Sequence, residues 1–248
     1  MAAKTVSKAD LIEEELILAL EQNKELSEFE FRKFQRDANS ITDYVSRNHA
    51  LGILYTIVKN DSLMYMYFDR ALSLGVNIVV LYNYFSCLNR RSCFSKSKEV
   101  FYKYKDYINT NRLVLKAFNV ASFYLDNDIA TFLYDKALLI KCDEELVESL
   151  FERKKKISQI REMTKCSDEH VESLVNIYSR IIRKYNQKVK SFYLETIAGG
   201  HYVIAIDTDN LDTIVDMNFE LADEIVANAE LDSCKLVAVF EPYTRINK

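Results

Sequence analysis

The middle of this sequence repeats itself at a fixed spacing. Residues 68–72 read FDRAL and residues 134–138 read YDKAL, 66 positions further on, which is twice 33. Halfway between them, residues 101–105 read FYKYK. An aromatic residue therefore stands at each of the three positions, and a basic residue follows it two places later. A period in the thirties is typical of a solenoid of helix pairs, so the repeat predicts stacked helical hairpins.

A short motif in the first copy indicates a family. Residues 51–55 read LGILY, and Phe68 and Ala71 follow at the spacing of a second helix. The segment 45–142 resembles the tetratricopeptide repeat (TPR) family, whose first helix carries L-G-x-x-Y. The third copy keeps its small residues, but the second has Phe85 where the family has Gly, and the family's closing proline is absent. The predicted fold is mainly α, a TPR-like helical-hairpin solenoid with a small C-terminal ββαβ unit.

The resemblance implies a groove for a partner protein. In this family the first helix of each pair lines a concave surface that holds a peptide or a helix. First helices are predicted at 45–58, 78–91 and 111–125. His49 and Ile53 fall at concave positions of the first of these helices. The predicted partner-binding residues on the other two are Tyr82, Asn83, Ser86, Arg90, Arg112, Lys116 and Asn119.

Some members of the family use such positions to hold a carboxylate. Asn83, Arg112 and Lys116 fall at three of them, and Arg112 and Lys116 are four residues apart on one helix face. Two cations there could hold a carboxylate by charge-assisted hydrogen bonds. The plainer alternative is that both are solvated surface residues.

The N-terminal segment, residues 1–48, is predicted to form helices of its own. Asp10 is a candidate N-cap for the first helix. Ser27 and Glu30 form a capping box at the start of the second, whose apolar side includes Phe29. The TPR-like domain is assigned to residues 49–190.

The C-terminal segment, residues 191–248, changes its hydrophobic period. Alternating apolar residues predict strands at 191–197 and 202–206 around a Gly199-Gly200 turn. An amphipathic helix at 211–229 and a strand at 235–240, stopped by Pro242, complete a ββαβ unit. Such a unit could cap the solenoid, bind an effector or form a homodimer through its free sheet edges.

Composition excludes several classes of protein. The chain has 248 residues with a net charge of −4 and 49% hydrophobic residues, which is ordinary for a globular protein. Only 4 Gly and 1 Pro argue against an all-β fold and a phosphate-binding loop. The five cysteines are predicted to be reduced thiols, and no metal or other cofactor is predicted. No secretory signal or membrane span is recognised, so we expect a cytoplasmic protein without a membrane partner.

Basic helices support a second interpretation. Residues 153–190 carry two basic runs, and residues 157–182 could form a helix-turn-helix. However, the candidate recognition helix opens with Asp168 and Glu169, and the chain as a whole is acidic, whereas nucleic-acid-binding domains are usually basic. A nucleic-acid-binding regulator is therefore the alternative.

Catalytic candidates are few. His201, Asp207 and Asp209 could suggest acid–base chemistry, but the two aspartates stand where helix capping explains them. The sequence therefore predicts no enzyme. It predicts a scaffold that binds another protein, as an adaptor, a partner-specific chaperone or an inhibitor.

Overall fold

A computed structural model describes residues 7–196 and 200–243, which are mainly helical with a three-stranded sheet near the C-terminal end. The chain divides into two compact units, residues 1–87 and 88–248. The division into three domains at 1–48, 49–190 and 191–248 stays a prediction. The helices are α1 (Lys8–Glu21), α2 (Glu28–Asn39), α3 (Tyr44–Ile57), α4 (Asp61–Leu72), α5 (Ile78–Arg90), α6 (Phe94–Tyr104), α7 (Asn111–Tyr124), α8 (Asn127–Leu139), α9 (Glu144–Thr164), α10 (Asp168–Lys184) and α11 (Leu211–Ala227). The strands are β1 (Val189–Glu195), β2 (His201–Ile206) and β3 (Val237–Pro242).

Helix starts follow the capping residues. The capping box of Ser27 and Glu30 opens α2 as predicted. The first helix begins differently, because Ser7 is its N-cap and Asp10 is the reciprocal partner three residues later. Phe29 was placed on the apolar side of α2, which is wrong, since it is 78% exposed.

The first unit is built around a close approach of α3 and α4. Phe68 on α4 is fully buried and stacks on Tyr84, with ring centroids 4.6 Å apart. Gly52 on α3 faces the same ring, and a Cβ there would lie 2.8 Å from two carbons of Phe68. The absence of a side chain at Gly52 is what allows this packing.

Replacing Gly52 with Ala is therefore expected to lower the free energy of unfolding by about 1–2 kcal/mol. Ala favours the helix by about 1 kcal/mol relative to Gly. That gain is outweighed because the Phe68 ring, stacked on Tyr84, would have to move away from the new methyl group. Urea unfolding would measure the change, with Ser62→Ala, on an exposed position of α4, as the control. A change no larger than that of the control would contradict this packing argument.

The second unit contains the predicted ββαβ arrangement. The sheet order is β1-β2-β3, with β1 antiparallel and β3 parallel to the central strand. The helix α11 makes the crossover from β2 to β3, and its buried face is Ile214, Met217 and Leu221. The prediction that the third strand stops before Pro242 is wrong. Pro242 is the last residue of β3 and pairs with Ile206 of β2. The end of an edge strand is where a sheet tolerates proline.

Part of one predicted element cannot be compared with the structure. Ile197 and Gly199, the end of the predicted first strand and the start of its turn, lie outside the described residues.

Of the residues that are described, none belongs to a helix long and apolar enough to cross a membrane.

Candidate functional site

A cleft of about 320 Å³ opens in the second unit between α7, α9 and β1. Its lining consists of Ser122 from α7, Arg153 and Lys156 from α9, and residues 192–195 of β1. Two cations, one hydroxyl and the exposed carboxylate of Glu195 therefore face the cleft.

The position of Arg153 on α9 is unusual for a charged residue. Leu150, Ile157 and Ile160 form the buried stripe of this helix at helical spacing, and each is fully buried. Arg153 is three residues after Leu150 and four before Ile157, so it occupies the same stripe. A cation thus stands where an apolar residue would complete the core-facing side.

The surroundings of Arg153 do not neutralise its charge. The guanidinium carbon lies 5.5 Å from the ring centroid of Phe118, which is fully buried. Burial lowers the pKa of Arg153, although a guanidinium stays protonated at neutral pH. Within residues 7–196 and 200–243, no Asp or Glu forms an ion pair with it. Arg153 is half-buried. A partly desolvated charge without a counter-ion costs free energy, and an anion entering the cleft would offset that cost.

Three of the predicted partner-binding residues lie on the helix that supplies Ser122. Arg112 is exposed on α7, and Lys116 and Asn119 are half-buried along it. Ser122 donates its hydroxyl hydrogen to the Phe118 carbonyl, which leaves its oxygen able to accept. The partly exposed side of α7 is therefore polar and basic next to the cleft.

Arg90 is placed elsewhere in the second unit. The pKa of Lys188 is lowered mainly by burial and secondly by the positive charge of Arg90. Arg90 thus lies near the segment that leads into β1, rather than on α7.

The remaining predicted residues belong to the first unit, where internal contacts occupy them. The Asn83 amide nitrogen lies 3.0 Å from His49 Nε2. Ser86 donates to the carbonyl oxygen of Tyr82, which is half-buried. The concave placement of His49 and Ile53 is wrong, because both are buried. The N-terminal helix α1 reaches His49 through Glu13, whose carboxylate is 3.0 Å from Nδ1.

Four basic residues in the second run of the alternative interpretation contact acidic side chains. The second basic run pairs with α11 and with the β2 end, through Arg180–Glu224, Lys184–Glu220 and contacts of Lys188 and Lys190 with Asp207. The candidate recognition helix α10 buries eight of its residues in the second unit. These pairings reduce the positive surface that a nucleic acid backbone requires.

A second cluster was not expected from the sequence. The ligand atoms of Cys166, His170 and Cys234 lie within 4.8 Å of one another. The spacing of four residues between Cys166 and His170 at a helix start is a signal that sequence reasoning missed. Nothing in the sequence indicates Cys234, which is 68 residues from Cys166.

The helix α11 also exposes an apolar stripe. Its exposed apolar residues are Leu211, Val215, Phe219 and Val226. A row of exposed aspartates, Asp212, Asp216 and Asp223, runs beside them. A second copy docked on this stripe would bring two acidic rows close together, which disfavours it. The homodimer through the C-terminal unit stays a prediction.

Comparison with known proteins identifies no relative: no family model, no curated protein and no solved structure matches this chain.

Proposed function

We propose that this protein is a non-catalytic scaffold that binds another protein, and that an acidic segment of the partner enters the cleft between α7, α9 and β1. The single observation behind the proposal is Arg153, a charged residue in the buried stripe of α9 that faces an open cleft without an ion-pair partner among the described residues. Lys156 adds a second cation, so the cleft favours an anion despite Glu195.

We also propose that the helix pairs are TPR-like repeats. The helices α3, α5 and α7 begin and end within one residue of the predicted first helices. The contact of Gly52 with Phe68 and the complete burial of Ala71 and Ala137 agree with the small-residue positions of that family. These features support the assignment, and the 33-residue period remains its main basis.

Affinity capture from the native host lysate, with and without nuclease, tests the proposed function. The wild-type chain should retain a stoichiometric protein partner after nuclease treatment. The double variant Arg153→Glu/Lys156→Glu should lose that partner, because charge reversal makes the cleft acidic. Lys155→Glu is the matched control, since Lys155 is exposed on the same helix and does not line the cleft.

Two results would contradict the proposal. If nuclease releases the bound material, the result supports a nucleic-acid-binding regulator instead of a protein-binding scaffold. If Lys155→Glu loses the partner as completely as the double variant does, the general charge of α9 rather than the cleft is responsible.

A further inference from the structure

The two cysteines of the second cluster lie where separate parts of the second unit meet. Cys166 occupies the corner between α9 and α10, just before Ser167, the N-cap of α10. Cys234 follows a short 3-10 turn, Ala229–Leu231, on the way to β3. Their sulfur atoms are 2.7 Å apart.

The cluster has the residue types of a zinc site but not its geometry. Two thiolates bound to one tetrahedral zinc, each at about 2.3 Å, stand about 3.7–3.8 Å apart, roughly 1 Å further than these sulfurs. The ring nitrogens of His170 are also engaged. Nδ1 accepts from the Ser167 backbone N–H at 3.3 Å, so the ring proton of the neutral form is on Nε2, 3.3 Å from Ser233 Oγ. Among the described residues this cluster supplies three ligands, one fewer than a closed structural zinc site has.

The same geometry suits chemistry between the two sulfurs. A hydrogen bond from the Cys234 thiol lowers the pKa of Cys166, and the same contact raises the pKa of Cys234. The positive end of α10 lies next to Cys166 and favours its anionic form as well. The sulfur contact and the helix end therefore favour Cys166 as the nucleophilic thiolate of the pair.

We propose that Cys166 and Cys234 are an oxidation site, at which a peroxide converts the two thiols into a disulfide between the α9–α10 corner and the segment before β3. The Cys166 thiol first loses its proton, and the thiolate attacks one peroxide oxygen. The O–O bond breaks, a sulfenic acid forms, and the leaving hydroxide takes up that proton as the first water. The Cys234 sulfur then attacks the Cys166 sulfur, and its proton leaves with the hydroxyl group as water. Overall, two thiols and hydrogen peroxide give one S–S bond and two waters, and the two electrons lost by the sulfurs reduce the two peroxide oxygens.

The sulfur contact, rather than burial, marks this pair among the cysteines. Cys166 is buried and Cys234 is partly exposed, so a small oxidant would reach the pair from the Cys234 side. Cys87 and Cys93 are buried. Burial raises the pKa of Cys142, so its thiolate is scarce at neutral pH.

The test treats the reduced, full-length protein with one equivalent of hydrogen peroxide. Titration of the thiols in denaturant should fall from five to three, and non-reducing peptide mapping should find Cys166 joined to Cys234. Cys142→Ser is the control and should still lose two thiols. Cys166→Ser and Cys234→Ser should each lose the cross-link.

Three outcomes would overturn the proposal. One is the retention of all five thiols, and another is a disulfide that joins other cysteines. The third is a reduced protein that, by elemental analysis, holds one zinc per chain only when Cys166 is present. None of these outcomes bears on the cleft beside Arg153, so the two proposals fail separately.

Discussion

Arg153→Met is expected to weaken the binding of an acidic segment by about 30-fold or more, while the free energy of unfolding stays the same or rises by about 1 kcal/mol. Binding falls because the partly desolvated guanidinium is the group that an anion in the cleft would pair with. Stability does not fall, because Met fills the volume between Leu150 and Ile157 without the cost of burying an unpaired charge. The lost contact with the Phe118 ring opposes this gain only partly.

Fluorescence anisotropy with a short fluorescein-labelled peptide that alternates Glu and Leu would measure binding, and urea unfolding would measure stability. A peptide of the same length that alternates Lys and Leu is the control for non-specific contact. Lys155→Met should change neither quantity appreciably, since Lys155 is exposed outside the cleft. If Arg153→Met lowers stability by more than about 1 kcal/mol, the arginine stabilises the fold and the binding proposal loses its basis.

Local sequence signals predicted the elements of this fold well. The capping box at Ser27 and the alternation of apolar residues in the C-terminal segment each act over a few residues, so they can be interpreted without tertiary information. The three first-helix ranges, placed by the 33-residue repeat, were correct within one residue. Errors occurred where two local options competed, as at Ser7 and Asp10, which share one capping box.

The candidate sites depended on contacts that no local pattern specifies. His49 occupies a position that the repeat register treats as open, but α1 buries it through Glu13. Four consecutive basic residues at 153–156 look alike in the sequence, and only the stripe of Leu150, Ile157 and Ile160 separates the inward Arg153 from its exposed neighbour Lys155. That stripe was available in the sequence, whereas the meeting of Cys166 with Cys234 required the fold itself.

The disulfide between these two cysteines is expected to raise the free energy of unfolding of the second unit by about 4 kcal/mol. The cross-link would join residues 68 positions apart, and closing a loop of that size restricts the unfolded chain strongly. The gain corresponds to an upward shift of the melting temperature of about 10 °C for a unit of this size.

Differential scanning calorimetry of the protein before and after oxidation would measure this shift. Cys142→Ser should show the full shift, and Cys166→Ser should show none, because it lacks one end of the cross-link. The size of the shift also reports on the native geometry. With the sulfurs already in contact, the α9–α10 corner and the segment before β3 need little movement, so most of the entropic gain should appear. A confirmed disulfide that leaves the melting temperature unchanged, or lowers it, would mean that forming the bond distorts one of these two segments.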